Sequence, residues 1–320
     1  MRRGPAGFAR LGPPAMCLPR TVVRNSEVAE RLGVEEDWIE RRTGVRERRR
    51  AEPDERLSDL AAEAGRRALA RASLAPEDLD LVLVATCTAD ELTPAAAPLV
   101  AAALGAPQAG AIDLGAACAG FIAGIDLAAG AIESGRVEHA LVIGADFMSR
   151  ITDRDDRRTA GLMADGVGAI TVSGGHPEIA IGPIVLHTDP VGPPLVYALH
   201  DDRVLHMDGP SVFVSAVDRI SEVTLEALEH AEVELDAVDL FVYHQGNARI
   251  LSAVGKRLGL DPDKVVVCVD RLGNTSAASI PLGLCVAEEE GRLAPGATVL
   301  FGAIGAGFTY GAFVARWGDA

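Results

Sequence analysis

The chain of 320 residues is poor in aromatics, which make up 4% of it, so its core must be built from small aliphatics. Alanine and glycine fill that role, and small side chains favour close packing of helices on sheets. Lysine is nearly absent: only Lys256 and Lys264 are not arginine among 30 basic residues. The balance of 30 basic against 46 acidic residues gives a net charge of −16, which argues against a general nucleic-acid binder. With 48% hydrophobic residues the chain has too much apolar material for a disordered protein. No uninterrupted apolar run reaches the roughly 18 residues of a membrane span. The opening MRRGPAGFARLGPPAMCLPR is positively charged but lacks the apolar stretch of a secretory signal. Five scattered cysteines, Cys17, Cys87, Cys118, Cys268 and Cys285, include no CxxC pair. They form neither a disulfide framework nor a zinc site, so free thiols in a reducing cytoplasm and no metal are expected.

What is present is an alternation of strands and helices. LDLVLVATC (79–87) and HALVIGADF (139–147) are continuous apolar runs, the pattern of buried parallel strands. GVGAITVSG (166–174), VDLFVYHQ (238–245) and KVVVCV (264–269) read as further strands, and IAIGPIVLHT (179–188) as extended. Helices are expected over 57–73, with Ser58 or Asp59 at the N-cap, and over 93–105, 211–231, 247–260 and 276–293. Residues 109–135 begin as a strand and become a helix apolar nearly all round, which is the mark of a buried helix. Residues 298–317 read as a hairpin around a Gly-rich turn. The rhythm of 1–174 recurs in 175–320, which suggests an α/β structure of two similar halves.

Three positions carry chemistry. Cys118 lies in IDLGAACAGF, at a turn between a buried strand and a buried helix. A helix N-terminus there would stabilise a thiolate and lower its pKa, and its N–H groups could hold an oxyanion. The alternative is a small structural thiol. His244 ends a buried strand, where sites form in open α/β sheets, although a satisfied structural histidine is also possible. Asn274 in DRLGNTSAASIP again follows an apolar run; it could equally cap the next helix.

GAIGAGFTYG (302–311) has strand character on both sides, so it is a tight turn offering N–H groups rather than a dinucleotide cradle. That counts against a nucleotide-dependent oxidoreductase. RRTGVRERRR (41–50) is a basic island that could be a plain solvated face. With Trp38 beside it, Arg42 and Thr43 could instead hold an adenine ring and phosphates. Arg249, Lys256 and Arg257 share one helix; 249 and 256 lie about two turns apart on one face that suits an acidic partner.

Together DWIERRTGVRER, DLGAACAGF, ADGVGA, HMDGPSVF, YHQGNARI, LGNTSAASIPL and GAGFTYG resemble the β-ketoacyl-acyl carrier protein synthase III family of the thiolase superfamily. These collinear motifs cover nearly the whole chain. The resemblance implies a five-layered αβαβα fold and a decarboxylating condensation of an acyl-CoA primer with malonyl-acyl carrier protein. Cys118 then matches the acylated nucleophile, and His244 and Asn274 the pair that stabilises the enolate. The backbone N–H groups of Cys118 and Ala306 match the oxyanion hole. Trp38, Arg42 and Arg157 match the CoA adenine grip; Thr43, Gly209, Phe213 and Asn247 match the pantetheine tunnel. Arg249, Lys256 and Arg257 match the carrier-protein docking face.

Retention of Asn274 favours carbon–carbon bond formation over acyl transfer to another acceptor, the competing activity on the same fold. No resident cofactor is implied, since acyl-CoA is a substrate. A homodimer is the family expectation, for which the LVAAALG helix and the strand near residue 112 are available. One departure stands at the acyl-pocket gate, where Thr93 replaces the usual Phe and predicts a primer longer or bulkier than acetyl.

Overall fold

The apolar runs of the sequence become two sheets covered on both faces except at edge strands, where Ile112 and Leu186 stay exposed. The computed structural model describes residues 7–190 and 192–318. The first sheet has the order Phe8–Leu11, Asp165–Gly175, His139–Phe147, Leu81–Ala85, Gly110–Leu114, with Ala15–Cys17 also pairing with Asp165–Gly175. Its last three strands are parallel, and the others run antiparallel to their neighbours. The second sheet has the order Leu240–Tyr243, Thr298–Gly305, Thr309–Arg316, Val185–Thr188, again beginning with a parallel pair and continuing antiparallel.

Three hydrophobic clusters stack these sheets into five layers. Leu57–Arg71 and Ala96–Leu104 cover the outer face of the first sheet through residues such as Leu69 and Val100, packed with Val84 and Leu141. Gly120–Glu133 and Ser279–Glu289 lie between the sheets. Phe121, Ile125 and Ile280 share one core with Val142 of the first sheet and Phe301 of the second. Gly209–His230 and Ala248–Leu258 cover the outer face of the second sheet around Phe241 and Leu300. The order is helix, sheet, helix, sheet, helix, as the resemblance implied. Gly120–Glu133 is apolar nearly all round because it touches a sheet on either side.

Several local expectations are corrected. Ser58 is not an N-cap but lies inside its helix. The Asp90 carboxylate accepts from the N–H groups of Leu57 and Ser58 instead, at 2.9 and 2.8 Å. Asp113 does the same for Ala96 and Ala97. Both helix starts are thus capped by carboxylates distant in sequence. KVVVCV (264–269) is not a strand. Beyond one bridge between Phe241 and Val265, its backbone bonds to the Gln245 side chain. The buried Gln245 amide donates to Tyr243 O and Val266 O and accepts from Cys268 N and Val269 N, taking the place of a ladder. Of 179–188, only Val185–Thr188 forms a strand.

Candidate active site

A cavity of about 1550 Å³ opens between the two sheets, at the ends of their parallel strands. Cys118, His244 and Asn274 line it, with Trp38, Arg42, Thr43, Arg157, Gly209, Phe213, Asn247, Arg249 and Ala306.

Cys118 sits in a single 3-10 turn, Ala117–Ala119, between the strand Gly110–Leu114 and the helix Gly120–Glu133. Ala117 has φ +45°, a conformation that non-glycine residues rarely adopt, and this bends the chain sharply enough to present the thiol. Gly305, at the end of its strand, packs directly on this turn: a Cβ there would lie 2.6 Å from Ala116 O and 2.8 Å from Cys118 N. The thiol does not have the lowered pKa expected from the helix start. Burial pushes it up to about 11, against smaller lowering effects from the Ser276 hydroxyl and its own backbone N–H. Desolvation of the charged form outweighs the helix terminus, so Cys118 rests as a thiol.

His244 follows the strand Leu240–Tyr243, and its N–H donates to Gly302 O at 2.8 Å. Nδ1 lies 2.7 Å from the Ser279 hydroxyl. That oxygen also accepts from Gln245 N–H at 3.3 Å, which leaves the Ser279 proton available to Nδ1. When Ser279 donates to Nδ1, the ring proton sits on Nε2, which lies beside Gly246. Burial lowers the pKa of His244 to about 4, so the ring is neutral at physiological pH and is a hydrogen-bond donor.

Asn274 is held by backbone bonds from its N–H to Leu162 O and from Ala164 N–H to its own carbonyl, both 2.9 Å. Its Oδ1 accepts from Ser276 N–H at 3.0 Å, which turns Nδ2 toward Gly246 O at 3.4 Å and toward the cavity. The two readings of this residue therefore coexist: it caps the turn Ser276–Ala278 and still presents a donor.

Toward the cavity mouth the Arg42 guanidinium stacks on the Trp38 ring, 4.5 Å from its centroid. Other proposed contacts have local duties. Thr43 Oγ1 donates to Ile39 O and accepts from Val45 N–H. Arg157 donates to Leu32 O and Gly33 O at the end of the helix Asn25–Leu32. Asn247 caps Ala248–Leu258 and donates to Arg42 O. Arg249 lies over Phe213 at 5.8 Å, and a shallow second groove joins it to Lys256. Arg257 pairs with Asp218.

One expectation fails here. Thr93 is exposed and outside the cavity wall, because the chain turns outward before the helix Ala96–Leu104; its neighbour Leu92 lines the wall instead. The basic run 41–50 is largely structural. Arg41 pairs with Asp37, Arg46 with Glu40 at 2.8 Å, and Arg48 is buried against Asn25 Oδ1 and Gly161 O. Arg42 alone of this run's arginines lines the cavity. Ser276, Ser279 and Asp146 were not singled out from sequence. A serine two and five residues beyond Asn274 in the GNTSAAS segment was the available signal. Cys87 also differs from a plain core thiol, since it lines the cavity. Among the described residues no cluster could hold a metal, and no helix is long and apolar enough to cross a membrane.

The family models described as 3-oxoacyl-[acyl-carrier-protein (ACP)] synthase III C terminal and as 3-oxoacyl-[acyl-carrier-protein (ACP)] synthase III match residues 228–317 and 112–190. The β-ketoacyl-[acyl-carrier-protein] synthase III of Symbiobacterium thermophilum is 42% identical, covering 99% of this chain and 100% of its own length. A Streptomyces coelicolor relative of that description is 43% identical over 100% of this chain and 96% of its own. Among solved structures, the synthase III of Aquifex aeolicus superposes with a TM-score of 0.94 at 36% identity, over 97% of this chain and all of that one. A priming β-ketosynthase from a polyketide biosynthetic pathway superposes at 0.95 and 36%, over 100% and 99%. Full-length similarity at this level places the chain by descent as well as by fold: it belongs to the β-ketoacyl-[acyl-carrier-protein] synthase III family of thiolase-fold ketosynthases.

Proposed function

We propose that this chain joins an acyl-CoA primer to malonyl-acyl carrier protein by decarboxylative condensation, initiating fatty-acid or polyketide synthesis. The observation that carries the reading is the convergence of Cys118 with two neutral donors, His244 Nε2 and Asn274 Nδ2, on one cavity. Cys118 takes the acyl group from CoA as a thioester. The two donors then bind the malonyl thioester oxygen. As CO2 leaves, negative charge grows on that oxygen, and hydrogen bonds fixed beforehand stabilise it. The enolate carbon attacks the acyl–Cys118 carbonyl, whose oxygen is received by the N–H groups of Cys118 and Ala306. A neutral imidazole with its proton on Nε2 suits this task, because it donates a hydrogen bond without the cost of keeping a buried positive charge.

In the same reading Trp38, Arg42 and Arg157 receive the CoA adenine end, and Thr43, Gly209, Phe213 and Asn247 border the pantetheine. Arg249 and Lys256 face an acidic carrier protein with Arg257 alongside; charges on such a rim set encounter rate more than affinity. The protein works in the cytoplasm as a homodimer without a resident cofactor, and its halves 1–174 and 175–320 face one site.

The test combines intact-protein mass spectrometry with CO2 release from malonyl-acyl carrier protein. Cys118→Ala is expected to take no acyl group, while Asn274→Ala acylates normally and fails to condense. Acyl transfer without CO2 release by the wild type would replace condensation with plain acyl transfer.

A further inference from the structure

The turn that carries Ala306 is held from two sides. Thr298–Gly305 enters it and Thr309–Arg316 leaves it, with Gly305 and Thr309 paired across its base. On the near side Gly305 packs on the backbone of the nucleophile turn. On the far side Phe308 is buried and lines the cavity together with Ala306. Its backbone is gripped by Asp189, the first residue beyond the edge strand Val185–Thr188. Asp189 N–H donates to Phe308 O at 2.8 Å, and Phe308 N–H donates to Asp189 O at 2.9 Å. Gly192 N–H donates to the same Asp189 oxygen at 3.2 Å, and a Cβ on Gly192 would overlap the Phe308 nitrogen. Ala306 itself lies between Gly305 and Gly307, and Gly307 has φ +137°, so little in the turn's own sequence restrains it. The grip on Phe308 fixes the turn to the extent that Asp189 is itself fixed.

Arg219 fixes Asp189. It projects from the helix Gly209–His230, and its Nε and Nη2 both donate to Asp189 Oδ2, at 3.1 and 2.7 Å. Its Nη1 donates to Glu222 Oε2 at 2.7 Å, which sets the plane of the guanidinium. The same guanidinium lies over the Tyr310 ring, 5.7 Å from its centroid, on the strand that leaves the turn. A planar fork engaged at three nitrogens fixes orientation as well as distance. The Asp189 side chain is 16% exposed, so the pair is less screened than a surface pair. Val212, Ala216 and Ile220 of the same helix line the cavity. One arginine thus ties a wall of the cavity to the turn that carries Ala306.

We propose that Arg219 is a positioning residue for the reaction: through Asp189 it fixes the turn 306–308 and holds the Ala306 N–H where charge develops on the acyl oxygen. This rests on the condensation reading, in which the N–H groups of Cys118 and Ala306 receive that oxygen. A donor stabilises an oxyanion most when it is in place before the charge forms, because no reorganisation is then needed during the reaction. Without the pair, Asp189 and Phe308 remain bonded to each other but shift together, and the Ala306 N–H shifts with them. The loss falls on the chemical step, since acyl-CoA is bound by contacts spread along the cavity.

The experiment is single-turnover acylation of the full chain over a range of acyl-CoA concentrations, followed by intact mass. Beside it, the infrared C=O stretch of the acyl-Cys118 thioester is read with a carbon-13 label at the carbonyl. Arg219→Met keeps an unbranched stem and removes the pair. Its limiting acylation rate is expected to fall about ten- to a hundredfold, while the half-saturating acyl-CoA concentration changes less than about threefold. Its thioester band is expected at higher frequency, because the carbonyl loses a donor. Arg219→Lys keeps the charge without the fork and is expected to recover part of both effects. Glu226→Ala is the control: about two turns along the helix it removes the pair with His187 and leaves Asp189 untouched, so rate and band should match wild type. A folded Arg219→Met with the wild-type rate and band overturns the proposal and leaves the condensation reading intact. An equal loss in Glu226→Ala also overturns it, because any loosening of the helix would then suffice. Should the methionine variant fail to fold, Arg219→Gln carries the same expectations and the same refutation. Wild type that carries no acyl group on Cys118 overturns both readings.

Discussion

Replacing Gly305 with alanine tests whether the nucleophile turn is held to its working geometry by contact with the second sheet. The added Cβ would meet Ala116 O at 2.6 Å, Cys118 N at 2.8 Å and Ala119 N at 2.9 Å. All three are backbone atoms, so no side chain can rotate away. Restoring ordinary contact of roughly 3.4 Å requires the strand end and the turn to separate by about 0.5–0.8 Å. Overpacking of this kind costs about 1–3 kcal/mol. The displaced atoms include the N–H proposed to stabilise the acyl oxyanion, and a misplacement near 1 Å at a reacting centre costs about a hundredfold in rate. The assay is single-turnover acylation by intact mass, with thermal unfolding alongside. Gly255→Ala is the control: it sits inside the helix Ala248–Leu258 with nothing within 4 Å of the new Cβ, so it should acylate normally and gain about 0.4–1 kcal/mol. A Gly305→Ala enzyme with wild-type acylation and unfolding temperature would refute the claim that this contact sets the geometry.

Three further outcomes follow from the buried polar groups. The depressed pKa of His244, about 4, means that the folded state binds fewer protons than the unfolded state between pH 4 and the ordinary histidine value near 6.5. Its contribution is present above pH 6.5 and is lost as pH falls toward 4; denaturant unfolding across that window should show the loss, of order 3 kcal/mol, diminished in His244→Ala. For the same reason the condensation rate should lack an inflection near pH 6.5, and finding one assigned to His244 would contradict a neutral donor. Gln245→Ala strands four backbone groups around 266–269 and Tyr243 and should cost about 3 kcal/mol or more, measured as a lower denaturant midpoint; a loss under 1 kcal/mol would mean those groups find other partners.

Much of the architecture was legible because parallel strands buried on both faces are written as unbroken apolar runs. Leu81–Ala85 and His139–Phe147 fall within the expected segments, as does the closing hairpin Thr298–Gly305 with Thr309–Arg316. The short strands Phe8–Leu11, Ala15–Cys17 and Thr21–Arg24 were not, since three or four residues carry too little periodicity to be recognised. KVVVCV failed for a different reason: its composition fits a strand, but a glutamine from elsewhere claims its hydrogen bonds. The same limit applies to the cavity. Residue types at strand ends pointed to Cys118, His244 and Asn274, whereas the Cys118 pKa depends on desolvation, which no local window contains. Asp90 capping a helix start more than 30 residues away, and Asp146 beneath the nucleophile, are likewise facts of tertiary structure.

The two helices between the sheets also constrain how the chain is made. Gly120–Glu133 buries Phe121, Ile122 and Ile125 partly against Ser279–Glu289 and the second sheet, which leave the ribosome about 150 residues later. At synthesis rates of roughly 5–20 residues per second, that apolar surface waits some 7–30 seconds for its cover. The arrangement that brings three catalytic side chains to one cavity thus leaves the nascent chain sticky for nearly half of its synthesis, and ties the yield of active enzyme to whatever shields that helix in the interval.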